Sequence, residues 1–255
     1  MIIANWKSNG GLMMIQDWTS DFINLCSPKD FYVGIAPPVI YISDFSSMKW
    51  DLDALEEKSN NKIWDIKIGA QDVDHSSGSR TGAVAIKMFE DFGIDFAIIG
   101  HSERREYFNE DNDLIRQKIS ALNGSNVKTK ILCIGETKEE NDKGITKDVL
   151  KNQLEVVDAM DLENFIIAYE PVWAIGSGLT PEPKDINEIH KYIKDVVQSS
   201  SANNLVPKVM YGGSVTDKNA ESFFTEQFVD GALVGGASLN GKTFANIVNI
   251  YSSTK

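Results

Sequence analysis

Short runs rich in β-branched and aromatic residues recur along the chain at 2–4, 31–36, 66–70, 96–99, 130–134, 165–169, 208–211 and 232–234. Each is a few residues long and is bounded by glycine, proline or polar residues, a pattern that predicts strands. The stretches between them are longer and compatible with helices. Strand and helix signals in alternation predict parallel βαβ units, and eight such units close most naturally into a barrel with helices outside. A doubly wound open sheet is the competing arrangement.

The helical stretches carry their own punctuation. Thr180-Pro181-Glu182 predicts a helix start, with Asp185, Ile186, Ile189, Ile193 and Val197 following at helical spacing and expected to face the core; Asn123-Gly124 predicts a helix end. Residues 50–65, rich in Asp, Glu, Lys and Asn, read as a surface excursion between the second and third units. No low-complexity linker or change in composition divides the chain, so residues 1–255 are expected to form one domain.

Composition narrows the function. A length of 255 residues suits one α/β barrel, which needs about 250, and 42% hydrophobic with 24% charged residues supplies an ample core. The net charge of −12, with no basic cluster, argues against nucleic acid and anionic membrane surfaces as partners. Cys26 and Cys133 lie in unrelated apolar segments without metal-ligand spacing and read as small buried hydrophobes in a reducing compartment. The first residues lack a basic secretory region and no segment is apolar enough to span a bilayer, which points to the cytoplasm.

The chemistry is positional. Asn5 and Lys7 follow the first predicted strand, His101-Ser102-Glu103 the fourth, Glu170 the sixth, Gly212-Gly213-Ser214 the seventh and Gly235-Gly236 the eighth. A closed barrel gathers these positions on one rim, where a base, an electrophile, a cation and two amide-rich turns would converge. Taken singly they are weak signals: a glutamate or lysine is usually a surface charge, a lone histidine usually structural, and a Gly-Gly pair usually a turn. Glu170 is the strongest, because Phe165-Ile166-Ile167-Ala168-Tyr169 aims it and Pro171, which has no N–H for a ladder, opens a glycine-bearing flap over 171–181. Ser102 is the expected N-cap of a helix whose dipole would disfavour a charged imidazole at His101. Glu103 either orients Lys7 or supplies first-turn helix charge. Ser214, Gly235 and Gly236, with Gly176 from the flap, form a candidate anion cradle.

Five segments together resemble the triosephosphate isomerase family: Asn5-Trp6-Lys7, Ile99-Gly100-His101-Ser102-Glu103-Arg104-Arg105, Ala168-Tyr169-Glu170-Pro171-Val172-Trp173-Ala174-Ile175-Gly176, Tyr211-Gly212-Gly213-Ser214-Val215 and Leu233-Val234-Gly235-Gly236-Ala237-Ser238-Leu239. They occur in the family's order and cover nearly the whole chain. The resemblance implies a single-domain (β/α)8 TIM barrel that interconverts dihydroxyacetone phosphate and D-glyceraldehyde 3-phosphate through an enediolate, in glycolysis and gluconeogenesis, with no cofactor and no metal. By the same resemblance Glu170 is the base and His101 a neutral electrophile and proton shuttle. Lys7 supplies fixed positive charge, Asn5 bonds the carbonyl region, and Ser102 and Glu103 support them. Gly176, Ser214, Gly235 and Gly236 bind the phosphate, the flap shields the enediolate, and the loop containing Thr81 joins a homodimer.

Two places depart from the family's pattern. The loop Gly78-Ser79-Arg80-Thr81-Gly82-Ala83 has alanine where related chains carry an acid that pairs, across the interface, with an arginine corresponding to Arg104. At the flap's far hinge, Pro181 stands where an amide often receives a closing hydrogen bond from the tyrosine matching Tyr211; proline cannot donate it. Among rivals, a Schiff-base aldolase wants lysine where Glu170 stands, a metal hydrolase wants clustered ligands that His75, His101 and His190 do not supply, and a non-catalytic phosphate binder would not need Asn5, Lys7, His101 and Glu170 together.

Overall fold

The computed structural model describes residues 1–26, 30–48, 65–157, 163–176, 179–202 and 204–255. Eight parallel strands run in chain order: β1 (Ile2–Asn5), β2 (Val33–Ala36), β3 (Ile66–Ala70), β4 (Phe96–Ile99), β5 (Thr129–Ile134), β6 (Phe165–Tyr169), β7 (Lys208–Tyr211) and β8 (Ala232–Val234). The registers Ile2↔Ala232, Ile3↔Leu233 and Ala4↔Val234 join β8 to β1 and close the barrel, which excludes the open sheet. The strand expected over 31–36 begins at Val33, and ahead of it the Phe31 ring packs against Tyr251, at 4.8 Å between centroids.

Alternation along the strands sorts side chains into two cores. Ile3, Phe96, Ile98, Ile131, Cys133, Ile166, Ala168, Met210 and Leu233 fill the barrel, while Ile2, Val33, Ile35, Ile68, Leu132, Ile167 and Val209 face the helices. Phe96 is the largest side chain of the inner set, and it fits because β2 and β3 present glycines to it. A Cβ at Gly69 would stand 2.3 Å from its ring and one at Gly34 2.8 Å. Cys26 and Cys133 are both buried.

The helix predicted from Thr180-Pro181-Glu182 spans Pro183–Ser200. Proline is tolerated in a helix's first turn, and Pro183 takes that place, with Glu182 as the cap residue. Ile186, Ile193 and Val197 are buried and Ile189 is half-buried, but Asp185 is exposed in the first turn, where a carboxylate complements the helix dipole. The helix Asn112–Asn123 ends at Gly124 as expected. Nearly all of the stretch at 50–65 lies outside the described residues. No described helix is long and apolar enough to cross a membrane.

Candidate active site

Asn5, Lys7, His101, Glu170, Gly176, Ser214, Gly235 and Gly236 border one cavity of about 360 Å³ at the C-terminal ends of the strands. Ser102 and Glu103 stand behind it in the helix Ser102–Phe108. Of the residues expected at the site, these eight share the cavity, whereas Ser102 and Glu103 do not border it.

Glu170 is 1% exposed. Its main chain is fixed where β6 ends, since its N–H donates to Ile134 O at 2.7 Å. One carboxylate oxygen accepts the Ser102 N–H at 3.0 Å and the other lies 2.9 Å from His101 Nε2. Gly212 makes room for this side chain, because a Cβ there would meet Glu170 Cγ at 2.8 Å. Burial pushes the carboxyl pKa up, but the imidazole's attraction, the Ser102 N–H and Lys7 outweigh it, so the net shift is downward.

The cap of the helix Ser102–Phe108 is His101, not Ser102: His101 Nδ1 accepts the Glu103 N–H at 3.2 Å. The imidazole takes this role because His101 sits half out of the helix with φ −51° and ψ 142°, which leaves Ser102 as the first helical residue. An Nδ1 that accepts a hydrogen bond carries no proton, so a neutral ring carries its proton on Nε2, facing the cavity. Burial lowers the imidazole's pKa, and the adjacent Glu170 carboxylate raises it by more. That upward shift comes from the carboxylate contact, while burial, Lys7 and the helix N-terminus all pull toward the neutral ring.

Lys7 has φ 50°, a left-handed backbone uncommon outside glycine. Three contacts hold it there. Its N–H donates to Asn5 Oδ1 at 3.0 Å, its carbonyl accepts Gln71 Nε2 at 2.8 Å, and Nζ lies 2.6 Å from Glu103 Oε1. Glu103 thus fills both expected roles, first-turn acid and partner of Lys7. Asn5 Oδ1 is occupied, which leaves its Nδ2 amide to offer a ligand.

The glycine turns expected to form an anion cradle lie across the cavity. After β8 the chain turns at Gly235 into a 3-10 turn, Gly236–Leu239, pinned by Ser238 N–H and Oγ to Gly235 O and by Trp18 Nε1 to Ser238 O. The first N–H groups of such a turn have no partner within it. Gly235 also lets Lys7 approach, since a Cβ would stand 3.3 Å from Lys7 Cε. From the β7 side, Ser214 Oγ donates to Ala174 O at 2.8 Å and ties the cradle to the flap.

Sequence reasoning missed Glu136. This carboxylate, 1% exposed, accepts Trp173 Nε1 at 2.7 Å and Tyr169 Oη at 3.1 Å, and its carbonyl accepts the Val172 N–H. It anchors the flap's near hinge from just beyond β5, so the strand-end rule that found Glu170 also covers it. Gln71, which follows β3, was likewise given no role.

A family model described as triosephosphate isomerase matches residues 1–251. The chain belongs to the triosephosphate isomerase family. Three triosephosphate isomerases illustrate how near the relatives lie. That of Blochmanniella floridana is 40% identical, over 99% of this chain and 95% of its own. That of Sodalis glossinidius is 39% identical, over 100% and 98%; that of Escherichia coli O1:K1 is 38% identical, over the same shares. As a member of the family, the enzyme is an isomerase that interconverts dihydroxyacetone phosphate and D-glyceraldehyde 3-phosphate.

The departures from the family's pattern have structural counterparts. Arg104, without an acid at Ala83, pairs within the chain with Glu110 at 2.7 Å and Asp72 at 2.9 Å. Arg80 pairs with Asp74 inside its own loop at 2.8 Å, and Thr81 is exposed. Tyr211 Oη is buried with no hydrogen-bond partner among the described residues, and Pro181 is buried ahead of its helix.

Proposed function

We propose that Glu170 removes the proton α to the substrate carbonyl while His101, through Nε2–H, and Lys7 stabilise the oxyanion that forms. The observation that carries this reading is the 2.9 Å contact between a buried carboxylate and an imidazole Nε2 in the cavity that Lys7 also borders. The free ketose phosphate is a weak carbon acid, so abstraction needs a desolvated base on one side and prepositioned donors on the other.

Glu170 is held by Ser102 and His101, and both partners stabilise its anion. Moving toward a substrate carbon breaks these contacts and leaves burial as the dominant influence, which strengthens the carboxylate as a base. His101 is released at the same moment to donate Nε2–H to the carbonyl oxygen, and Asn5 Nδ2 supports that oxygen. The phosphate is gripped by N–H groups of Gly176, Ser214, Gly235 and Gly236, helped by the Lys7 charge. The flap, of which residues 171–176 and 179–181 are described, closes on the dianion, excludes water and guards the enediolate against loss of phosphate. No cofactor or metal has a step in this mechanism.

Replacing the base tests the assignment. Glu170→Gln should lower kcat by about 10²–10⁴-fold, the range expected for a general base, while inorganic phosphate still binds as an inhibitor. Full activity would remove Glu170 from the role.

The same reading extends to the chain as a single domain, to a cytoplasmic location and to a homodimer joined through the loop bearing Thr81. Supporting the dimer, the loop's Arg80 and Gly82 share a groove of about 510 Å³ with the exposed ring of Phe108. Gel filtration of the native protein at the size of a monomer would refute the dimer.

A further inference from the structure

We infer that Gln153 is a positioning residue for the catalytic base, acting through Gly135. The inference rests on Glu170 being that base.

β5 and β6 remain in step past their ends: the Glu170 N–H donates to Ile134 O at 2.7 Å and the Val172 N–H to Glu136 O at 3.1 Å. Gly135, between these two acceptors, has its own N–H and C=O directed to the opposite side, where β4 would continue. β4 cannot continue there. Its last register with β5 is Ile99↔Leu132, and Gly100, at φ 68°, turns the chain away to place His101.

Gln153, from the helix Thr146–Leu154, fills the gap. Its Oε1 accepts the Gly135 N–H at 2.8 Å and its Nε2 donates to Gly135 O at 3.0 Å. One carboxamide thereby stands in for a missing strand residue.

Gly135 is pressed from the other side by Glu170 itself. A Cβ at 135 would lie 1.7 Å from the Glu170 carbonyl oxygen, a backbone atom that cannot rotate away. The position admits only glycine, the residue with the least to hold it in place. Beside it lies a second cavity of about 310 Å³, bordered by Ser102, Arg105, Gly135, Gln153 and Glu170. Without the two hydrogen bonds the Gly135 peptide has both the freedom and the space to move, and the Glu170 main chain loses the wall that sets its position. Ser214, Gly235 and Gly236 do not border this cavity.

The test compares Gln153→Met, which keeps the volume and loses both bonds, with Gln153→Glu, which keeps only the acceptor. Steady-state kinetics should show kcat reduced about 10-fold or more for the first, as a sub-ångström misplacement of a base implies, with a smaller loss for the second and KM within about twofold in both. Combining Gln153→Met with Glu170→Asp separates placement from general stability. If Gln153 acts by placing the base, the two losses are markedly less than multiplicative, because the shortened base is already misplaced. Unchanged kcat in Gln153→Met, a loss confined to KM, or fully multiplicative losses would overturn the inference. Failure of the base assignment shows separately, as activity retained by Glu170→Gln.

Discussion

Gly212→Ala adds one methyl group beside Glu170, the proposed base, and the structure gives the resulting overlap in ångströms. The new Cβ would stand 2.8 Å from Glu170 Cγ and 3.2 Å from Tyr169 O. Carbon atoms rest at about 3.5–4.0 Å, so the carboxylate arm must shift by roughly 0.7 Å or more. Tyr169 O cannot yield instead, because it accepts the Gly212 N–H at 2.7 Å within the β6–β7 edge. Gly212 does not have the left-handed backbone that would strain alanine, so the effect comes from this contact. A misplacement near 1 Å is worth about 100-fold in rate, or about 2.7 kcal/mol on the barrier. We therefore expect kcat to fall about 10- to 100-fold, with KM within about threefold because the amides proposed to grip the phosphate are untouched. The assay is coupled turnover in both directions, with a circular dichroism melt to establish that the variant is folded. A folded variant with kcat within twofold of the parent would refute the reasoning that Gly212 makes room for Glu170.

Tyr211→Phe removes a buried hydroxyl that has no partner among the described residues, and Pro181 offers it no N–H. Turnover should stay within about twofold and stability should hold or rise by about 1 kcal/mol; a large loss of kcat would show that the hydroxyl finds a partner when the flap closes. His190 is fully buried, which drives its pKa down to about 3 from an ordinary 6.5, against a smaller upward pull from Phe228 O. Below 6.5 the unfolded chain therefore binds a proton that the folded chain refuses, and stability falls as pH falls: by about 2 kcal/mol at about pH 5 from this group alone. Urea midpoints at neutral pH and at about pH 5 should show a shallower decline in His190→Gln than in the parent, and equal declines would count against the buried neutral ring.

Local chain chemistry made most of the barrel readable in advance. All eight strands lie where β-branched runs stand, since parallel strands buried on both faces must be apolar throughout. The residues of the rim were readable for the same reason, because a polar residue directly after such a run lies at the strand's C-terminal end whatever the rest of the chain does. Features that depend on a neighbour distant in sequence were not readable. Ser102 looked like the cap, but the cap is His101, whose ring is turned by the contacts of Glu103 and Glu170. Asp185 fitted a helical stripe, yet where the core faces that helix is set by packing, and it faces His190 instead. Glu136 and Gln71 stand just past strand ends, but nothing local showed that their partners would be Trp173 and Lys7, and Gln153, which meets Gly135, carries no motif at all. Sequence alone determined which elements form and what the strand ends offer, because secondary structure follows from periodicity within a few residues. Only closure of the barrel decided which groups meet, because hydrogen bonds and burial are set by distances in space that chain order does not encode.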